Sequence, residues 1–208
     1  MNLPYLKIFR DLPAPPQWLL DQIDVNERPD YEAFNTEAKD GHMQIVEVED
    51  WKRQQYKWLK PMTSNKNARH IFEPDATEWM LENIASNFNT QNSGWMYFDE
   101  EQLPHTDLTR EWSLLYNVFT GGDDVELCFW QEPGHPIHRT DGYKTWDTTD
   151  GLTLLESVKG PFNCWYLMHT TAIHSVRNMS GTRLNLQLSF DHGTIPSLLQ
   201  ELNTNIAV

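Results

Sequence analysis

Residues 172–190, AIHSVRNMSGTRLNLQLSF, contain the most regular pattern of the chain. From position 183 onward, polar and apolar side chains alternate over eight residues, which is the two-residue period of a β-strand. One predicted face is polar and the other apolar: the first carries Arg183, Asn185, Gln187 and Ser189, and the second carries Leu184, Leu186, Leu188 and Phe190. Because the apolar face should pack in a core, the polar face should meet either solvent or a polar cavity.

A second predicted strand, residues 172–176, precedes this one and carries His174. A turn at residues 178–181 joins the two, so that Arg183 begins its strand nine residues after the histidine. In a polar cavity, an arginine can bind a carboxylate through two parallel hydrogen bonds. His169 lies five residues before His174 but lacks an arginine at this spacing, and we therefore favour His174 as a ligand.

A histidine and an aspartate occupy alternate positions in the segment LPHTDL, residues 103–108. On a strand, His105 and Asp107 would point to the same face. An imidazole and a carboxylate aimed at one point are two thirds of the 2-His-1-carboxylate set that binds Fe(II) and leaves positions open. The motif alone is short, and an exposed turn is its commoner explanation. It becomes specific together with His174, 67 residues after the aspartate, and Arg183.

Further short strands are predicted upstream, separated by turn residues. They cover residues 95–98, 112–119, 125–130, 152–158 and 164–168. The glycine-containing turn at residues 120–124 predicts that residues 112–130 form a β-hairpin. Antiparallel strands at this spacing are typical of a sandwich or a barrel.

The first 93 residues differ from this pattern, since helical periodicity is found there. Residues 17–25 and 74–88 are predicted helices that begin near prolines, and residues 44–48 are a predicted strand. A short helix is predicted at residues 196–202. We therefore predict an α+β, mostly β, single domain with three parts: a helix-rich N-terminal part at 1–93, a strand-rich core at 94–192 and a C-terminal helix at 193–208.

With these residues in place, the segment 94–192 resembles the Fe(II)- and 2-oxoglutarate-dependent oxygenases, which have a double-stranded β-helix (jelly-roll) core. The resemblance implies that Arg183 binds the cosubstrate and that the catalytic metal ligands are His105, Asp107 and His174. The first 90 residues lie outside the resemblance, and we expect their helices to pack on this core. The stretch from His174 to Arg183 is loosely similar to the aspartyl/asparaginyl/prolyl hydroxylase branch. The arginine that usually follows His-x-Asp in that branch has no counterpart, since Arg110 comes too early. The prolyl 4-hydroxylase-like and phytanoyl-hydroxylase-like branches therefore remain alternatives for the branch to which the sequence is similar.

The resemblance implies a dioxygenase that uses Fe(II), the cosubstrate 2-oxoglutarate and O2, and that releases succinate and CO2. It would hydroxylate an unactivated C–H bond of an amino acid, a peptidyl residue or a small metabolite. Asp107 argues against halogenation, because related halogenases have a small residue at that position. Tyr116 and Asn185 are candidates for further contacts with 2-oxoglutarate. The alternative for Tyr116 is core packing, and the neighbouring Asn117 would point to the opposite face.

The amino-acid sequence and its charge limit the binding partners and the cellular compartment that we expect for this protein. A formal net charge of −14 disfavours nucleic acid as a partner. No apolar run approaches the ~20 residues of a membrane-spanning helix and no signal peptide is visible, so we expect a cytoplasmic protein with no membrane partner. Cys128 and Cys164 are expected to be reduced and buried. Two other functions stay open: a non-catalytic jelly-roll binding or sensing module, and a cupin-type metalloenzyme that does not use 2-oxoglutarate.

Overall fold

The computed structural model describes residues 5–23, 67–107, 109–139, 144–159 and 163–199. Within these ranges strands predominate and helices are few, as expected for a mostly β fold. The strands are β1 (Leu6–Phe9), β2 (Asn67–Ile71), β3 (Asn89–Phe98), β4 (Gln102–His105), β5 (Trp112–Thr120), β6 (Glu126–Gln131), β7 (Thr153–Lys159), β8 (Trp165–His169), β9 (Ile173–Arg177) and β10 (Arg183–Phe190). The helices are α1 (Gln17–Leu20) and α2 (Pro74–Asn83), and residues 197–199 form a further helical turn.

The strands form two antiparallel sheets. The larger sheet has six strands in the order β1-β8-β5-β10-β3-β2, and the smaller has four in the order β4-β9-β6-β7. One buried cluster contains Leu115 and Tyr166 of the larger sheet together with Leu127 and Val176 of the smaller one. The two sheets therefore pack face to face and share an interior.

The helices cover the outer face of the six-stranded sheet. Pro74 begins α2 and Asp75 lies in its first turn, where the proline ring and a negative charge are both favourable. Ala76 and Met80 lie one helical turn apart and are buried with Leu19 of α1 in a core that also contains alternate residues of β5 and β10. Both helices are shorter than predicted, and the central strands β8, β5 and β10 of the six-stranded sheet are buried on both faces.

The predicted alternation of β10 is confirmed. Its apolar face packs in the helix-side core through Leu184, Leu186, Leu188 and Phe190. Its polar face lies on the inner side of the sheet, where Arg183 lines a pocket with Leu127 and Val176 of the smaller sheet. The polar side chains of β10 therefore meet the interior of the sandwich and not solvent.

The predicted hairpin over residues 112–130 is wrong. β5 pairs with β8 and β10, whereas β6 pairs with β7 and β9 in the other sheet. Gly121 and Gly122 have φ angles of 88° and 136°, so they do turn the chain, but turn residues do not determine the partner of the next strand. The carbonyl of Gly121 accepts the backbone N–H groups of Ser180 and Gly181 at 2.8 and 2.9 Å. The β5–β6 turn therefore packs against the turn that precedes β10.

The described N-terminal residues contain both predicted helices, α1 and α2, but also β1, β2 and the start of β3, so this part is not dominated by helices as predicted. The strand predicted at 44–48 lies outside the described residues, and so does the end of the helix predicted at 193–208. In the part of the chain that the structure describes, no helix combines the length and the apolar character needed to cross a membrane.

Candidate metal centre and adjoining pocket

The smaller sheet brings together three side chains that can bind a metal. β4 and β9 are paired so that His105 lies opposite His174, and the two imidazole ring centroids are 4.3 Å apart. Asp107 follows β4 by two residues. One ligand atom from each of the three side chains lies within 4.8 Å of the others, and in the described ranges no other group of His, Cys, Asp or Glu side chains does so. The predicted ligand set is thus one spatial cluster.

The two imidazoles are oriented by backbone carbonyls. Nδ1 of His105 is 2.7 Å from the carbonyl oxygen of Leu103, and Nδ1 of His174 is 2.9 Å from that of Ala172. Since a carbonyl oxygen only accepts, each Nδ1 donates a proton to it, so that Nε2 is the nitrogen of each neutral ring that can bind a metal. Burial, followed by the nearby His105, lowers the pKa of His174 to about 3. His174 is therefore neutral at neutral pH, which is the form that binds metals.

Asp107 is an ionised carboxylate whose two oxygens have different neighbours. Its backbone N–H donates to the carbonyl of Thr170 at 3.0 Å, and its Oδ2 accepts from Nε of Arg110 at 2.7 Å. Its Oδ1 lies 3.8 Å from Nε2 of His105. Burial by itself would raise the pKa of Asp107, but the charge of Arg110, with His174 and His105, outweighs burial and holds it below the usual range. Two imidazoles and one carboxylate form the donor set of a facial triad.

Arg183 is a buried cation with neutral partners. Arg183 is only 5% exposed to solvent. Its guanidinium donates to Oε1 of Gln102 at 3.1 Å and to the hydroxyl of Tyr166 at 3.0 Å. The Tyr166 hydroxyl in turn donates to Oδ1 of Asn117 at 3.2 Å. Among the described residues, no carboxylate pairs with Arg183. Because a buried charge is costly without a counter-charge, an anionic ligand would stabilise this arginine.

The arginine pocket and the metal cluster share the space between the sheets. The pocket beside Arg183 is small, with a cavity volume of about 10 Å³, which is roughly the space of one water molecule. Its walls are formed by Asn117, Thr120, Val125, Leu127, Tyr166, Val176 and Arg183. Val176 lies two residues after His174 on the same face of β9, about 7 Å along the strand. Val176 thus lies between the metal cluster and the guanidinium along the inner face of β9, and a ligand that spans the two requires this space to widen.

Asn185 presents an unpartnered amide on the inner side of β10. Its residue is completely buried, and neither Oδ1 nor Nδ2 has a hydrogen-bond partner. Asn185 follows Arg183 on the same strand face and pairs with Asn117 of β5 in the sheet register. Since an unsatisfied buried polar group costs about 1–3 kcal/mol, a polar ligand in this space would remove a penalty that the protein carries without one.

The structure brings most of the predicted site residues together and leaves one apart. The three predicted metal ligands form the cluster, and Arg183 and Asn185 lie on the inner side of β10. Tyr116 does not reach the pocket: it faces the helix-side core, where its ring centroid is 5.3 Å from that of Trp165. The next residue, Asn117, lines the pocket instead, because neighbouring residues of a strand point to opposite faces.

Sequence reasoning missed two neighbours of Arg183. Gln102 lies three residues before His105 at the start of β4, and Tyr166 lies in the middle of β8. The signal for Tyr166 was a hydroxyl group within the apolar strand WYLM, since a buried hydroxyl requires a partner. The sequence around Gln102 did not indicate a buried partner in this way.

The rival ligand His169 lies in a separate group of side chains. Its ring lies between those of Trp112 and His138, with centroid distances of 4.0 Å on both sides and tilts of 57° and 42°. Its Nδ1 is 2.8 Å from the Thr171 hydroxyl, and its Nε2 is 3.5 Å from Oε1 of Glu111. Burial, followed by the neighbouring histidines, lowers the pKa of His169 to about 3. The described contacts of His169 thus belong to packing beside the cluster.

Comparisons of the chain with protein-family models, with curated proteins and with solved structures found no match.

Proposed function

We propose that the chain is an Fe(II)- and 2-oxoglutarate-dependent dioxygenase. It hydroxylates an unactivated C–H bond of an amino acid, a peptidyl residue or a small metabolite, with succinate and CO2 as co-products. One observation carries the proposal: a His-Asp-His cluster and a buried arginine without a counter-charge line the same interior. A metal-binding cluster alone would fit many metalloproteins, whereas the arginine adds a place for the far carboxylate of a dicarboxylic keto acid.

The strand order supports a jelly-roll core. From β3 to β10, the larger sheet receives β3, β5, β8 and β10, and the smaller receives β4, β6, β7 and β9. Eight strands divided equally between two antiparallel sheets, with strands that repeatedly change sheet, are typical of jelly rolls. β1 and β2 would then be additions at the two edges of the larger sheet. This arrangement also explains why a turn that looks like a hairpin connects strands of different sheets.

The described residues have separate tasks in this proposal. His105, Asp107 and His174 would hold the metal through Nε2, Oδ1 and Nε2, leaving the remaining positions to the cosubstrate and oxygen. Fe(II) in this site would supply activation of dioxygen for attack on a C–H bond.

Arg183 would bind the far carboxylate of 2-oxoglutarate, with Tyr166 and Gln102 orienting the guanidinium. Asn185 offers a donor and an acceptor that both lack partners in the protein. Burial between two sheets keeps bulk water from these groups.

Arg183 separates this proposal from a cupin-type enzyme that does not use 2-oxoglutarate, because such an enzyme would leave the buried cation without an anion. Turnover separates it from a non-catalytic binding module. The substrate class follows only from the loose similarity to the hydroxylase branch, which is an argument by analogy.

Anaerobic difference absorption tests the proposal. Metal-free protein receives Fe(II) and then 2-oxoglutarate, and chelation of the keto acid should produce a weak charge-transfer band in the visible range. The band should be absent in His105→Ala. Iron binding without a band would favour a cupin-type site, and absence of iron binding would favour a binding module.

A further inference from the structure

Arg110 contacts the carboxylate of the metal cluster directly. Its Nε lies 2.7 Å from Oδ2 of Asp107, and both side chains are largely buried, at 12% and 10% exposure. The other oxygen, Oδ1, is the one near Nε2 of His105, at 3.8 Å. The two oxygens of Asp107 thus have different neighbours: Oδ1 points towards the histidines and Oδ2 towards the guanidinium.

A buried threonine fixes the backbone on both sides of this ion pair. The carbonyl of Thr170 accepts the N–H of Asp107 at 3.0 Å, and the Thr170 hydroxyl donates to the carbonyl of Arg110 at 2.8 Å. The N–H of Thr170 donates to the carbonyl of Glu111 at 2.8 Å, and Thr170 is completely buried. Surface ion pairs are usually mobile and weak, but this pair is held at its backbone by three hydrogen bonds.

We infer that Arg110 is a positioning residue that keeps Asp107 a one-oxygen ligand of the metal. The inference rests on the proposed metal centre. A carboxylate can bind a metal through one or both oxygens, and an oxygen that already accepts from a guanidinium is poorly available for the second bond. Arg110 thereby keeps one more coordination position open for the cosubstrate. Its contact with Asp107 also distinguishes it from Arg183, which lies in the anion pocket.

Binding of Co(II) to the full chain tests this role without any turnover. Its visible absorption reports the number and geometry of its ligands. The variants are Arg110→Met, which removes the donor and the charge, and Arg110→Lys, which keeps the charge. The matched control is Arg177→Met, because Arg177 forms an arginine–carboxylate pair of similar length, 2.8 Å, with Glu126 and contacts none of the proposed ligands.

We expect Arg110→Met to change the Co(II) spectrum and to weaken Co(II) binding about 10-fold to 100-fold, as removal of the partner of a metal ligand typically does. Arg110→Lys should restore most of the wild-type spectrum, and Arg177→Met should match the wild type. If Arg110→Met does not fold, as judged by circular dichroism of the metal-free protein, Arg110→Gln makes the same comparison, since it removes the charge and keeps a polar side chain.

The positioning role is overturned if the spectrum and affinity of the Arg110 variants equal those of the wild type. It is also overturned if Arg177→Met changes them as much. Failure of the proposed function looks different: wild-type protein would hold no Co(II), or His174→Ala would hold it equally well. That result would overturn the metal centre and, with it, the role of Arg110.

Discussion

Replacing Arg183 by methionine should greatly weaken binding of 2-oxoglutarate and leave metal binding intact. The residue is 5% exposed, and its hydrogen bonds go to the neutral groups of Gln102 and Tyr166. A carboxylate that reaches the guanidinium therefore forms a charge pair shielded from water. Removing one partner of such a pair costs about 2–5 kcal/mol. Because about 1.4 kcal/mol corresponds to a tenfold change in affinity, we expect roughly 30-fold to 4000-fold weaker binding.

The assay is an anaerobic titration of Fe(II)-loaded protein with 2-oxoglutarate, followed by the visible charge-transfer band. Fe(II) affinity should not change in Arg183→Met, since Arg183 contacts none of the three proposed ligands in the described structure. Arg177→Met serves as the control, because it removes an arginine of the smaller sheet that pairs with Glu126 and does not line the pocket. A dissociation constant for Arg183→Met within roughly threefold of the wild type would refute the assignment of the pocket to the carboxylate.

Three further variants test the surroundings of the pocket and the stability of the fold. Asn185→Leu should raise the unfolding free energy in urea by about 1 kcal/mol, because it removes an unsatisfied buried amide, and should also weaken 2-oxoglutarate binding; lower stability with unchanged affinity would contradict this. Tyr166→Phe should weaken 2-oxoglutarate binding about 3-fold to 10-fold, because the Arg183 guanidinium loses its hydrogen bond to the Tyr166 hydroxyl. Tyr116→Phe is the control and should leave this binding unchanged, since Tyr116 faces the helix-side core. Equal effects of the two variants would argue against the pocket. His169 is neutral when folded, with a pKa of about 3, but protonates near pH 6.5 when unfolded. The unfolded chain thus binds more protons, so stability should fall as the pH is lowered from about 6.5 towards 3. His169→Gln should reduce this slope in unfolding experiments across that range, and an unchanged slope would show that His169 does not contribute.

The faces of individual strands could be predicted from the sequence. The leucines and the polar residues of β10 lie on opposite sides, as their alternation indicated, because side-chain direction in a strand follows the local backbone geometry. The same rule does not explain His105 and Asp107, because β4 ends at His105 and Asp107 is placed by its backbone hydrogen bond to Thr170. The ability of an imidazole and a carboxylate to bind a metal is a property of the residue types and is therefore readable from the sequence.

Pairing between strands could not be predicted in this way. The segment 112–130 contains a strong turn, yet β5 and β6 separate into different sheets, because their partners come from distant parts of the chain. Hydrogen-bonding groups of a strand backbone are the same at every residue, so the local sequence leaves the choice of neighbour open. The contact between His105 and His174 likewise depends on the pairing of β4 with β9.

The sequence by itself determined three properties of this protein: the residue types of the candidate metal ligands, the two faces of β10 and the mostly β fold. Only the tertiary structure decided which face of each strand meets the cavity. The central strands β8, β5 and β10 of the larger sheet are buried on both faces, one under the helices and one under the smaller sheet, so apolar character does not distinguish the faces. For that reason Asn117 lines the pocket and Tyr116 packs in the helix-side core, the reverse of what we expected. The contacts of Tyr166 with Arg183 and of Arg110 with Asp107 could likewise not be predicted from the local sequence.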